Sequence, residues 1–134
     1  MIINKTTILL LICLSFLVQG CASAMYGYTQ RKAMDRYLFV DKATENFGYK
    51  RMQYNLGHNS SLKGFIESHG LPDFIYEYEN NKGRDSIKLF YLKKDIVYIY
   101  ESQSWLANSL YLKEFRPLTQ YEKDTYEQLS NKRL

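Results

Sequence analysis

The chain has 134 residues, 18 Lys/Arg against 14 Asp/Glu, 13 Tyr, 7 Phe and two Cys. That length holds one small domain. One cysteine, Cys13, falls inside an apolar leader, so the chain beyond the leader excludes a disulfide framework and a Cys-based metal site.

The N-terminus opens "MIINK", with one Lys and no acid, and continues "TTILLLICLSFLV" from Thr6 to Val18. A membrane span takes about 20 apolar residues, and this run is shorter. A basic start, a short apolar middle and small residues at the end is the order of a secretory signal peptide. A buried N-terminal helix and a retained anchor are the alternatives. Val18-Gln19-Gly20-Cys21 closes the run, and it resembles the lipobox of bacterial lipoproteins. The resemblance implies a diacylglyceryl thioether on Cys21, cleavage between Gly20 and Cys21, and an acylated new amine. Each buried methylene adds about 0.8 kcal/mol, so one acyl chain binds marginally and two or more hold firmly. The division expected is a signal peptide over 1–20, a lipidated tether over 21–29 and a single small α+β domain over 30–134. Ala22 stands where an inner-membrane retention Asp is common in Gram-negative lipoproteins. This points to the outer membrane, with the domain in the periplasm.

Between Tyr26 and Lys63 there are seven Lys/Arg and three Asp/Glu, whereas the remainder is nearly balanced. The basic part thus lies beside the anchor. Two readings are open: attraction to an anionic membrane surface, or an ordinary solvated face. A secreted, lipid-tethered chain argues against nucleic acid as a partner.

"QRKAMDRYLFV" places Ala33, Met34, Tyr37 and Leu38 on one helical face and predicts a short amphipathic helix. "DKATENFGYKRMQYNLGHN" is compatible with helix, strand or loop. "SSLKGFIESHGLPD" predicts a helix capped by Ser60 or Ser61, with Leu62, Phe65 and Ile66 inward, left through Gly70 and barred from resuming by Pro72. "DFIYEYEN" alternates, with Phe74, Tyr76 and Tyr78 on one face and Ile75, Glu77 and Glu79 on the other, outer face. "NKGRD" is a turn, and "SIKLFYL" and "IVYIYES", joined by "KKD", are apolar enough to be covered on both faces. Short links favour a three-stranded antiparallel meander, with two or three helices packed on one face. "WLANSLYLKEFR" is a crossing segment or a fourth strand, ended by Pro117. Thr119 and Glu122 have the spacing of a capping box, and Tyr121, Tyr126 and Leu129 of that helix face the domain.

Catalytic constellations are not legible. His58 and His69 have no metal-ligand spacing, and a His at a helix end is better read as favoured by the helix dipole. Ser60, Ser61, Ser102 and Ser104 sit in no nucleophile elbow. Glu77 and Glu79 as paired carboxylates are explained by alternation alone. No cofactor, no metal and no enzymatic activity are expected. The Tyr richness reads as an aromatic-lined sheet, or as a surface stacking a glycan, peptidoglycan fragment or lipid on Tyr76, Tyr78, Tyr98 and Tyr100.

From Ser61 to Glu101 the order of helix, "GLPD" and three strands resembles small outer-membrane lipoproteins of the BamE/SmpA kind. Ser61 matches that family's capping Thr/Ser, Phe65 an apolar helix position, and Gly70 with Pro72 its turn. Asn59 replaces a Gly, Lys63 or Gly64 an acidic or amide residue, and His69 a Leu. The resemblance implies a non-catalytic accessory subunit of an envelope assembly that contacts β-barrel assembly proteins or phospholipid; the partner expected is an envelope protein. The expectation is therefore a lipid-anchored scaffold subunit, with an envelope ligand-binding module as the second reading.

Overall fold

A computed structural model describes residues 3–103 and 110–132, and of residues 16–29 the backbone alone. The chain forms two compact units, Met1–Lys32 and Ala33–Leu134.

Helix α1, Lys5–Ala33, accounts for the first unit. Its backbone runs unbroken through the stretch expected to be a tether. Leu9, Leu10 and Leu11 are consecutive and 64%, 68% and 59% exposed. Successive helical residues lie about 100° apart, so this segment is apolar all round. Among the described residues no helix is long and apolar enough to cross a membrane.

The second unit is α+β. Its elements are β1 (Tyr37–Phe39), α2 (Phe47–His58), α3 (Ser60–His69), β2 (Phe74–Glu79), β3 (Asp85–Tyr91), β4 (Ile96–Ser102), β5 (Leu110–Pro117) and α4 (Gln120–Asn131). The strands form one antiparallel sheet in the order β1-β2-β3-β4-β5. The expected meander is its centre, β2 to β4, and the sheet has a further strand at each edge. β1 replaces the amphipathic helix expected over "QRKAMDRYLFV". That helix stops at Ala33, Asp35 turns the chain at φ 57°, and Tyr37 and Phe39 pair with Tyr76 and Phe74. β-branched and aromatic residues suit a pleated surface, and the ring packing available there outweighs a short helix. β5 settles the ambiguity of "WLANSLYLKEFR" from Leu110 onward as a strand ending at Pro117, while residues 104–109, with Ser104, lie outside the described residues.

Helices cover both faces of the sheet, not one. The α2–α3 pair packs Met52, Leu62 and Ile66 on Ile75, Ile87 and Leu89. α4 and the chain leading into it pack Tyr126 and Leu118 on Phe74, Phe90, Val97 and Ile99. Phe74 and Ile75 are adjacent and both fully buried, which a strand allows only when each of its faces is covered.

Helix ends are set locally. Asn46 caps α2, accepting from the Tyr49 amide at 2.9 Å. Asn59, not Ser60 or Ser61, stands at the N-cap of α3. Its side chain is engaged elsewhere: Nδ2 donates to the Asn55 carbonyl at 3.1 Å and Oδ1 accepts from the Leu110 amide at 3.3 Å. Gly70 leaves α3 at φ 81° as expected, its amide donating to the Ile66 carbonyl. His69 Nδ1 lies 3.0 Å from the Phe65 carbonyl in the last turn of α3.

α4 begins with the expected capping box. Thr119 Oγ1 accepts from the Glu122 amide at 3.2 Å, and Glu122 Oε2 accepts from the Thr119 amide at 2.8 Å. Arg116 at the end of β5 adds a bidentate bond to the Glu122 carboxylate, at 2.8 and 3.0 Å. Tyr126 packs inward, but Tyr121, expected to do so, is 69% exposed. Glu122, buried in its place, ties the first turn to β5.

Burial pushes the Glu122 carboxyl up, but the Arg116 and Thr119 hydrogen bonds and the Arg116 charge outweigh it and hold the group below its ordinary value of 4.5. A depressed folded pKa means the stabilisation is full above that ordinary value and is lost as pH falls through the folded one. Protection of the α4 amides, relative to the intrinsic exchange rate at each pH, is therefore expected to fall between pH 5 and pH 3 ahead of that of β3 and β4. Uniform protection of all three across that window would contradict the role given to this carboxylate.

Candidate functional site

The four tyrosines expected to share a ligand face are divided between two. Register places Tyr76 opposite Lys88, and Lys88 opposite Ile99, so these three share the α4 face. Tyr98 and Tyr100 have the opposite parity and lie under α3. Phe65 sits 4.6 Å from the Tyr98 ring and 5.7 Å from that of Tyr100, which is 2% exposed. Tyr100 is a core residue, and Tyr98, partly buried, packs against the same core. Tyr76 and Tyr78, also partly buried, stand on the opposite face.

Glu77 is also relocated. Read as an outer, solvated residue, it is 6% exposed and faces α2. Arg51 Nε and Nη2 donate to its two oxygens at 3.0 and 2.8 Å, and Asn55 Nδ2 adds a third bond at 2.9 Å. Arg51 and Asn55 are one turn apart on α2, so both reach one carboxylate. Glu79, at the exposed end of the strand, takes no part, and the two do not form a carboxylate pair. The network joins α2 to the sheet and is closed to solvent, hence structural.

α4 covers the end of its face around Phe74 and Phe90, whose rings stack at 4.2 Å. Beyond it the face opens. Tyr37 lies 4.6 Å from Tyr76, and Tyr76 lies 5.9 Å from Tyr78, forming a ladder of rings. The Lys88 ammonium sits 5.8 Å from the Tyr76 centroid and 5.2 Å from that of Tyr78, within cation–π range of both. The ladder leads into a cleft of about 400 Å³ whose lining includes Tyr78, Asn80, Glu101, Tyr111 and Lys113.

A β-bulge shapes this cleft. Ile99 pairs with Glu114 and the next residue, Tyr100, with Leu112, so Lys113 is the extra residue. The bulge brings Lys113 onto the cleft side, where its Nζ donates to Glu101 Oε1 at 2.9 Å. Bulges of this kind re-aim side chains. Sequence reading did not find Lys88, Glu101, Tyr111 or Lys113 as site residues. Nothing local marks a bulge, and their meeting depends on register across three strands.

The electrostatics are settled by the same neighbours. Burial raises the Tyr76 and Tyr78 hydroxyls above their ordinary value of 10.0, with Asp35 adding to the first and Glu101 to the second. The hydrogen bond and charge of Glu101 raise Lys113. At neutral pH Tyr76 and Tyr78 are therefore neutral phenols and Lys113 an ammonium. Among the described residues no three His, Cys, Asp or Glu side chains gather as metal ligands. His58 and His69 lie on separate helices, each with Nδ1 at a carbonyl four residues earlier. The side chain of Cys21 lies outside the described residues, and Cys13 is an exposed free thiol.

No protein-family model matches the chain, and neither a curated protein nor a solved structure matches it significantly.

Proposed function

We propose that the chain is an envelope lipoprotein, anchored through lipid on Cys21 to the periplasmic side of the outer membrane, and that its α+β unit is a non-catalytic interaction subunit. The observation that carries the interaction reading is the outer edge of β5. This eight-residue strand is last in the sheet, and among the described residues only β4 pairs with it. Phe115 is 64% exposed and Leu112 40% exposed along it. An edge of that length with exposed apolar side chains is a template for an added strand. Lys113 and the terminal Pro117 are the features that limit indiscriminate pairing there.

The anchor is supported by the helix of exposed leucines ahead of Gly20-Cys21, which has no stable resting place in water. The exit from α3 through Gly70 and Pro72 into β2, β3 and β4 supports the likeness to the BamE/SmpA kind.

Mass spectrometry of the native protein tests the anchor. The expected product starts at Cys21 and carries a diacylglyceryl thioether, and Cys21→Ser leaves the precursor uncleaved. An intact Met1 or an unmodified thiol at Cys21 in the native protein would overturn it. A photo-crosslinking residue at position 115 is expected to trap one specific envelope protein, and recovery of bulk neighbours alone would sink the interaction reading.

A further inference from the structure

The cleft at the end of the tyrosine ladder is chemically distinct from the β5 edge. Its volume, about 400 Å³, lies in the range of small-molecule sites, about 300–1,000 Å³. The charges lining it cancel, since Lys82 and Lys113 face Glu79 and Glu101. A phosphate-bearing ligand needs a net positive site and a metal cation a net negative one, and this cleft is neither. What it offers instead is the rings of Tyr78 and Tyr111, with one carboxylate held rigidly beside them.

That carboxylate is the most informative group. Glu101 is only 8% exposed, and Lys113 holds its Oε1. Its Oε2 has no protein partner among the described residues, yet none of their buried side-chain polar atoms is left unsatisfied. Oε2 therefore opens onto the cleft as a fixed acceptor. The rim is fixed as well: Asn80 Oδ1 accepts from the amides of Lys82 and Arg84, both at 2.9 Å. A rigid acceptor beside an aromatic ring is the arrangement that takes a hydroxyl pair from a pyranose whose C–H face lies on the ring.

We propose that this cleft binds an uncharged saccharide, with one pyranose ring stacked on Tyr78 and its hydroxyls donating to Glu101. Tyr76 and Lys88 extend the platform toward a second sugar unit. The charge balance makes a neutral sugar the preferred occupant over a cationic or an anionic one.

The full chain in detergent micelles, titrated calorimetrically with tetra-N-acetylchitotetraose, tests this. The deacetylated, cationic tetrasaccharide and a sulfated, anionic tetrasaccharide serve as charge controls. The neutral probe is expected to bind at least fivefold more tightly than either. Tyr78→Ala and the near-isosteric Glu101→Gln are each expected to weaken binding by tenfold or more, while Phe115→Ser, on the other face, leaves it unchanged. Circular dichroism of Glu101→Gln confirms that a loss is not unfolding. No heat at millimolar neutral probe, tighter binding of a charged probe, or affinity indifferent to both cleft variants would overturn the proposal. The crosslinking outcome at position 115 is independent of all three.

Discussion

Glu77→Ala is expected to come close to unfolding the α+β unit. The substitution leaves the Arg51 guanidinium, 4% exposed, without its carboxylate, and frees a donor of Asn55 nearby. Breaking one side of a buried ion pair costs about 3–5 kcal/mol, because the remaining charge is stranded in a medium that solvates it poorly. A domain of this size is stable by about 5–15 kcal/mol in all. Each kcal/mol moves the melting point of a unit of roughly 100 residues by about 4–8 °C. A fall of about 15 °C or more in a circular dichroism melt is thus expected. The double variant Arg51→Met with Glu77→Leu is expected to recover most of it, since a buried pair exchanged for apolar residues is often neutral or stabilising. If Glu77→Ala melts within a few degrees of the parent, the pair is not closed to solvent and α2 is held by its apolar face alone.

Gly48→Ala is the second large effect, and it comes from a close approach of backbones. Gly48 lies in the first turn of α2, where a Cβ would fall on the carbonyl oxygen of Phe39. That carbonyl also accepts from Asn46 Nδ2 at 3.0 Å, and Asn46 Oδ1 accepts from the Asp41 amide at 3.1 Å, so the oxygen is held in place. Relief requires β1 to move away from β2 or α2 to lift from the sheet. Overpacking costs about 1–3 kcal/mol when side chains can yield, and more when they cannot. We expect a loss of at least about 3 kcal/mol on that basis, with weakened protection of the Tyr37–Phe39 amides in hydrogen exchange. Gly57→Ala and Gly64→Ala are the controls. Both sites are helical with open space where the Cβ would stand. Each is expected to stabilise by about 0.5–1 kcal/mol, the usual advantage of Ala over Gly in a helix. Equal melting points for Gly48→Ala and Gly57→Ala would contradict the contact.

The glycine contrast shows why part of the fold was not legible. Gly48, Gly57 and Gly64 look alike in a linear reading, and only the packing of α2 on β1 separates the first from the others. Glu77 teaches the same lesson. Alternation along "FIYEYE" correctly assigns it to the face opposite Tyr76, but it does not say which face is wet. Arg51, 26 residues away, decides that. The tyrosine face failed for a related reason. Tyr76 and Tyr98 stand alike in their own strands, yet the β2–β3–β4 register puts them on opposite sides of the sheet.

Taken alone, the sequence determined whatever depends on neighbours a few residues apart. Such are the apolar run ahead of Gly20-Cys21, the α3 exit at Gly70 and Pro72, the Thr119–Glu122 box, the alternation of β2 and the near-continuous apolar character of β3 and β4. Interactions of short range are written in adjacent residues, so their chemistry can be read in order. The tertiary structure alone decided that helices cover both faces, that Glu77 is buried, that "YLF" is an edge strand, and that Lys113 meets Glu101. Each of these arises from pairing across long stretches of chain, where burial of one side chain is conferred by another that no local pattern announces.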